Sequence, residues 1–268
     1  MLRLIDIGAN LGHRSFERDR EAVIGRAEAA GVDRIIVTGT SLPQSKVTIA
    51  IASHRPGRVW STAGVHPHHA ADWDAGSAEA LRALAKAPEV VAIGECGLDF
   101  ERDFSPRPAQ RQAFEAQLEL AAELKLPVFL HERAASEELC EILRVWRPRL
   151  GALVVHCFTG NAEVLERYLG LDLHIGITGW ICDERRGRHL LALMSKIPRD
   201  RLMLETDAPF LFPRSLLPEK KGKPGKERNE PANLREVLRT VAAAMGRSEE
   251  EVAADTTQTA ERFFRLPT

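Results

Sequence analysis

Short apolar runs recur at residues 2–7, 34–38, 59–65, 90–94, 127–130, 152–155, 172–177 and 201–205. Each is brief and β-rich, the pattern expected of strands buried on both faces of a parallel sheet. Between most of them lie stretches with helical spacing. Arg18 to Ala30 ends at Gly31, and Pro108 to Leu124 carries Phe114, Leu118 and Ala121 on one face before Pro127 opens the next run. About eight such β/α units in 268 residues predict an α/β fold, a single-domain TIM-like (β/α)8 barrel over residues 1–268, close to the ~250 residues typical of that fold. An open doubly wound sheet is the competing topology, and neither a glycine-rich dinucleotide fingerprint nor a P-loop supports it.

After the last strand run the composition shifts once, over Pro213 to Pro231, to Pro, Gly, Lys and Arg, which reads as a surface loop. Leu234, Val237, Leu238 and Val241 then mark one helix face, and Ser248 followed by Glu249, Glu250 and Glu251 starts a capped terminal helix. No repeat or linker marks a second domain.

Composition adds limits. With 44% hydrophobic and 28% charged residues and a formal net charge of -1, the chain reads as an ordinary globular protein without bulk attraction for nucleic acid, so such contacts require a local basic region. Cys96, Cys140, Cys157 and Cys182 lie far apart, which argues against a zinc ribbon or disulfide scaffold and for reduced thiols in a cytoplasmic setting. The start enters a strand pattern at once, without a secretory signal, and no apolar run approaches the roughly 20 residues that span a bilayer.

The chemistry lies where the strand runs end. Asp6, His66, Glu95, His131, His156 and Asp207 each follow one. If the runs are parallel strands of one sheet, these side chains emerge at a common end and can converge on a divalent metal. Singly, His131 and His156 read as satisfied core histidines, Glu95 as the partner of an arginine and Asp207 as a turn cap. Four such coincidences favour the metal, and with it hydrolytic chemistry, because an ion held with an open position activates water near neutral pH.

The segments Gly64 to His68, Gly94 to Asp99, His156 to Gly160, Gly176 to Trp180 and Glu205 to Pro209, in this order and spacing, resemble the TatD family of metal-dependent deoxyribonucleases over essentially the whole chain. The stretches Asp6 to Leu11, Cys182 to Gly187 and Arg228 to Pro231 add to the likeness. The resemblance implies a TIM-like barrel that removes nucleotides from the 3′ end of single-stranded DNA, and also acts on RNA, with a divalent metal. It implies Glu95, His131 and His156 as metal ligands, Asp207 as a ligand or the base that orients water, and His66 and Arg133 facing the phosphate. DNA repair is a setting compatible with such a nuclease.

One departure from the family pattern bears on the metal. Most members carry histidines where this chain has Gly8 and Asn10, which leaves Asp6 and the amide oxygen of Asn10 at the first strand. Oxygen ligands suit Mg²⁺ or Mn²⁺ and imidazole-rich sites Zn²⁺. The expectation is therefore Mg²⁺, with Mn²⁺ able to substitute, one tighter ion at Glu95, His131 and His156, and a second, weaker one near Asp6.

Arg185, Arg186 and Arg188 follow the seventh run near the expected barrel mouth, and Arg185 and Arg186 are the candidate phosphate contacts there. Lys220, Lys221, Lys223 and Lys226 form a basic stretch that could track a backbone or simply be a solvated loop, and Phe104 and Trp180 could stack unpaired bases or cover the core. Two rival readings stay open: an amide or ester hydrolase on the same barrel, and a nucleic-acid-binding barrel without catalysis. No protein partner is deducible.

Overall fold

The computed structural model describes residues 2–217 and 227–267. Eight parallel strands, β1 Leu4–Ala9, β2 Val32–Val37, β3 Val59–Ala63, β4 Val90–Asp99, β5 Val128–Arg133, β6 Leu153–Val155, β7 Leu173–Ile177 and β8 Leu202–Leu204, form one sheet in sequential order. The sheet nearly closes: just past β8, the Asp207 N–H donates to the Gly8 carbonyl at 2.8 Å, and the Asn10 N–H donates to that of Ala208 at 2.6 Å. This is the barrel expected from the alternating pattern. Two strands run further than their apolar runs suggest, β4 to Asp99 and β5 to Arg133, because polar residues keep pairing as Gly97 with His131 and Asp99 with Arg133.

The helices are α1 Arg20–Ala29, α2 Leu42–Ser53, α3 Ser77–Leu84, α4 Arg107–Leu124, α5 Ser136–Trp146, α6 Ala162–Gly170, α7 Arg188–Leu191, α8 Leu234–Met245 and α9 Glu249–Phe264. Their starts follow local chemistry. The Asn161 side chain accepts from the Val164 N–H at α6, and at α9 Ser248 and Glu251 satisfy each other's backbone N–H groups in a capping box. Helix α9 closes the bottom of the barrel. Its Ala260, Phe263 and Phe264 join Ile5, Ile7, Ile36, Trp60, Phe129, Val154 and Met203 in an apolar cluster distinct from the larger one between sheet and helices. That plug leaves the other end, where strands run out into loops, for polar side chains. Among the described residues no helix is long and apolar enough to cross a membrane, and the expected basic stretch Lys220 to Lys226 lies outside them.

His174 on β7 faces the plug, its ring edge-on to Phe263 with centroids 5.0 Å apart. Burial, with the nearby Arg201 charge, pushes its pKa down to about 4 from the usual 6.5. The unfolded chain takes up this proton near pH 6.5 and the folded chain only near 4, so the stability due to neutral His174 is lost as pH falls through that window. Asp6 and Asp207, whose pKa values are raised to about 8 and about 7, act in the opposite sense over part of the same range. The comparison that isolates His174 is therefore with His174→Gln. Between pH 7 and 4, wild type should lose on the order of 3 kcal/mol relative to the variant, measured by urea unfolding across that range; parallel curves would refute the assignment.

Candidate metal centre

β4 presses tightly on β5 because Gly94 (φ 132°) and Gly97 (φ 145°) carry no side chain. A Cβ at either would collide with the backbone oxygen of Phe129 or His131. The peptide between Gly94 and Glu95 is cis. With the strands this close, Glu95 meets the histidine that ends the apolar part of β5.

Glu95 Oε1 is the focus of the site. It lies 2.8 Å from His131 Nδ1, 3.3 Å from His66 Nε2 and 3.5 Å from His156 Nε2, so side chains from β4, β5 and the loops after β3 and β6 converge on one oxygen. His66, Glu95 and His131 each offer a ligating atom within 4.8 Å of the others, a donor set and spacing that fit a divalent ion. His131 Nε2 is buried without a hydrogen-bond partner among the described residues, with Asp99 Oδ2 at 3.5 Å. Glu95, Asp99, Glu205 and Asp207 together concentrate negative charge here. The site must hold positive charge in return, either as imidazole protons or as a cation.

The electrostatics reflect that balance. Burial would raise Glu95, but His66, His156 and His131 together hold it well below the usual carboxylate range. Burial disfavours a charged His156, yet Glu205 and Glu95 outweigh it and lift that imidazole to about 10. His131 is likewise raised against burial, by Asp99 and Glu95. His66 goes the other way, down to about 4, through burial and the His131 charge.

A second ring of carboxylates orients the imidazoles. Glu205 Oε2 holds His156 Nδ1 at 2.8 Å and its Oε1 accepts the Cys157 N–H at 2.5 Å, which turns His156 Nε2 towards Glu95. Asp99 Oδ2 takes His68 Nε2 at 2.6 Å, while its Oδ1 accepts the N–H groups of Glu101 and Arg102. The sequence reading assigned no role to Glu205, Asp99 or His68. Two-residue spacing was the available signal, because Glu205 stands two before Asp207 and Asp99 four beyond Glu95 at the end of a strand.

Asp207, in a left-handed conformation (φ 53°), borders the same cavity, with Oδ1 accepting from Asn10 Nδ2 at 2.9 Å. Burial, with the charges of Glu95 and Glu205 outweighing the opposing pull of His156, raises it to about 7. Asp6 is not brought to the cluster. It is fully buried in the seam between β1 and the end of β8, its Oδ1 accepting from the N–H groups of Thr206 and Gly8 and its Oδ2 from the Thr206 hydroxyl. Glu205 stands where a side chain at position 8 would project, since a Cβ on Gly8 would collide with its carboxylate.

The cavity holds about 520 Å³. Arg133 and Arg186 line it with Arg102, and Arg186 stacks on Trp180 with its guanidinium carbon 4.2 Å from the ring centroid. Arg185 does not line it. Its guanidinium is bound to Asp183 at 2.9 and 3.0 Å, and it borders an adjoining cavity instead. Phe104 is 67% exposed and packs edge-on against His68.

Comparison with known proteins follows the same lines. The family model described as TatD related DNase matches residues 5–265. The chain is 52% identical over 263 residues to the 3′-5′ ssDNA/RNA exonuclease TatD of Erwinia tasmaniensis, covering 98% of this chain and 100% of that one. Among solved structures, a TatD homolog from Escherichia coli superposes with a TM-score of 0.88 at 29% identity, and a hydrolase TatD family protein from Entamoeba histolytica with 0.87 at 28%. Each covers 99% of this chain and of its own.

Proposed function

The chain belongs to the TatD related DNase family, and from that premise we propose that it is a divalent-metal-dependent 3′-to-5′ exonuclease of single-stranded DNA that also accepts RNA. The observation that carries the reading is the approach of three imidazole nitrogens to Glu95 Oε1 within 3.5 Å at the barrel mouth. We assign Glu95, His131 and His66 as metal ligands, with His156 beside them. A divalent ion there supplies charge neutralisation at the phosphate and lowers the pKa of water.

The chain's own groups supply the rest. Arg102, Arg133 and Arg186 line the cavity as donors for phosphate oxygens. Asp207, anchored by Asn10 through one oxygen, keeps the other for the proton of the attacking water. Glu205 fixes the His156 imidazole so that its nitrogen facing the cavity needs no reorganisation during reaction. Among the described residues no lysine lines the cavity, which supports this reading over an amide hydrolase built around a metal-bridging lysine.

We propose Mg²⁺ as the working ion, with Mn²⁺ substituting, because Asn10 and Asp207 add oxygens at the side where position 8 offers no imidazole. Four free cysteines support a reducing, cytoplasmic setting, and trimming of 3′ ends suits DNA repair. Metal-stripped protein incubated with 3′- or 5′-labelled single-stranded DNA should shorten strands from the 3′ end with Mg²⁺ or Mn²⁺. Shortening from the 5′ end, or activity with Zn²⁺ alone, would overturn the polarity or the metal assignment respectively.

A further inference from the structure

The cavity walls differ in charge. Arg102 lies just beyond β4, Arg133 ends β5, and Arg186 lies beyond β7. Across the barrel, beyond β1 and β2, the lining is Asn10, Gly12, His13, Thr38, Thr40 and Gln44, where His13 is the one titratable group among the described residues. Gln44 is the informative member. It occupies the third position of α2, where a glutamine normally reaches back to the N–H of the cap residue. Ser41 does accept from the Gln44 N–H at 3.2 Å, but the side chain does not reciprocate as Glu251 does at α9. It lines the cavity instead, with Oε1 buried and without a hydrogen-bond partner among the described residues. A buried amide oxygen left unpaired is unfavourable unless something entering the cavity pairs with it.

We infer that the wall formed by Thr38, Thr40 and Gln44 is the seat of the 3′-terminal nucleoside, read through its hydroxyl and base edge, while the rest of the strand leaves over Arg102, Arg133 and the exposed ring of Phe104. The inference rests on the exonuclease reading and adds to it a choice of end group. A terminal nucleoside with a free 3′-hydroxyl carries no phosphate on its far side, so a neutral hydrogen-bonding wall suits it. A 3′-phosphate would bring a dianion next to Asp207, where among the described residues no lysine or arginine beyond β1 and β2 lines the cavity to receive it, the lining arginines Arg102, Arg133 and Arg186 lying beyond β4, at the end of β5 and beyond β7. Repulsion of that kind discriminates strongly.

The test uses metal-loaded protein and 5′-labelled oligodeoxynucleotides of one sequence ending in a 3′-hydroxyl or a 3′-phosphate. Wild type should prefer the hydroxyl end on the order of 100-fold in kcat/KM. Gln44→Lys, which adds a cation to the neutral wall, should narrow that ratio about tenfold, chiefly by accelerating the phosphorylated strand. Gln44→Ala should raise KM for the hydroxyl strand about fivefold with kcat little changed. Equal use of both ends by wild type overturns the inference, as does an unaltered ratio in a folded Gln44→Lys. If that variant does not fold, an unchanged KM in Gln44→Ala overturns it. No 3′ shortening of either strand by wild type would instead overturn the exonuclease reading, and this inference with it.

Discussion

Glu95→Gln should reduce kcat/KM on single-stranded DNA by on the order of 10³-fold or more. The change keeps the shape of the side chain and removes its charge. In wild type that charge, held well below the usual carboxylate range by three histidines, is the one anion the imidazoles share at Oε1. An amide in its place offers at best a weak carbonyl ligand, and its NH₂ would face nitrogens that also act as donors when protonated. Divalent-ion affinity measured by calorimetry should fall together with turnover, while the far-ultraviolet circular dichroism stays native, because the barrel core beneath is apolar and untouched. A Glu95→Gln protein that binds the ion and cleaves DNA like wild type would place the metal elsewhere.

Much of the barrel was legible because parallel strands covered on both faces must be apolar throughout, and this chain separates those runs with helix-forming stretches and clear caps. Gly31, Pro127 and Ser248 mark real boundaries. The strand extensions to Asp99 and Arg133 were not legible, since a polar residue pairing at the barrel mouth looks like a loop when only hydropathy is read. The convergence of Glu95, His131 and His156 could be anticipated from chemistry at strand ends. The position of His66 could not: it follows a run as His131 does, yet only the fold shows its Nε2 at 3.3 Å from Glu95 Oε1. Asp6 illustrates the converse. It has the residue type and strand-end position of a ligand, but backbone N–H groups and the Thr206 hydroxyl already satisfy it in the seam that brings β1 to β8. Arg185 and Arg186 both bind Asp183, yet only Arg186 lines the cavity of the cluster, a difference of position that spacing alone does not show.

Asp207→Asn should lower kcat by about 10²- to 10⁴-fold while leaving DNA binding within a few-fold of wild type. The substitution preserves the side-chain volume and leaves an oxygen able to accept from Asn10 Nδ2, so the loop that carries Ala208 and Pro209 should keep its conformation. What it removes is the second carboxylate oxygen as a proton acceptor. The pH profile separates this role from a purely structural one. Without a cation, burial together with Glu95 and Glu205 raises Asp207 to about 7, so the group is protonated and inactive as a base below that point. A cation at the neighbouring cluster favours the carboxylate and moves the inflection lower. In metal-loaded wild type, kcat should therefore fall about tenfold per pH unit on the acid side of an inflection below pH 7, and this limb should vanish in Asp207→Asn. Asn10→Ala supplies an independent readout. Losing the hydrogen bond that stabilises the charged carboxylate should shift the same inflection to higher pH. A profile in Asp207→Asn with the wild-type acid limb at reduced height would assign the titration to another group and remove Asp207 from the base role.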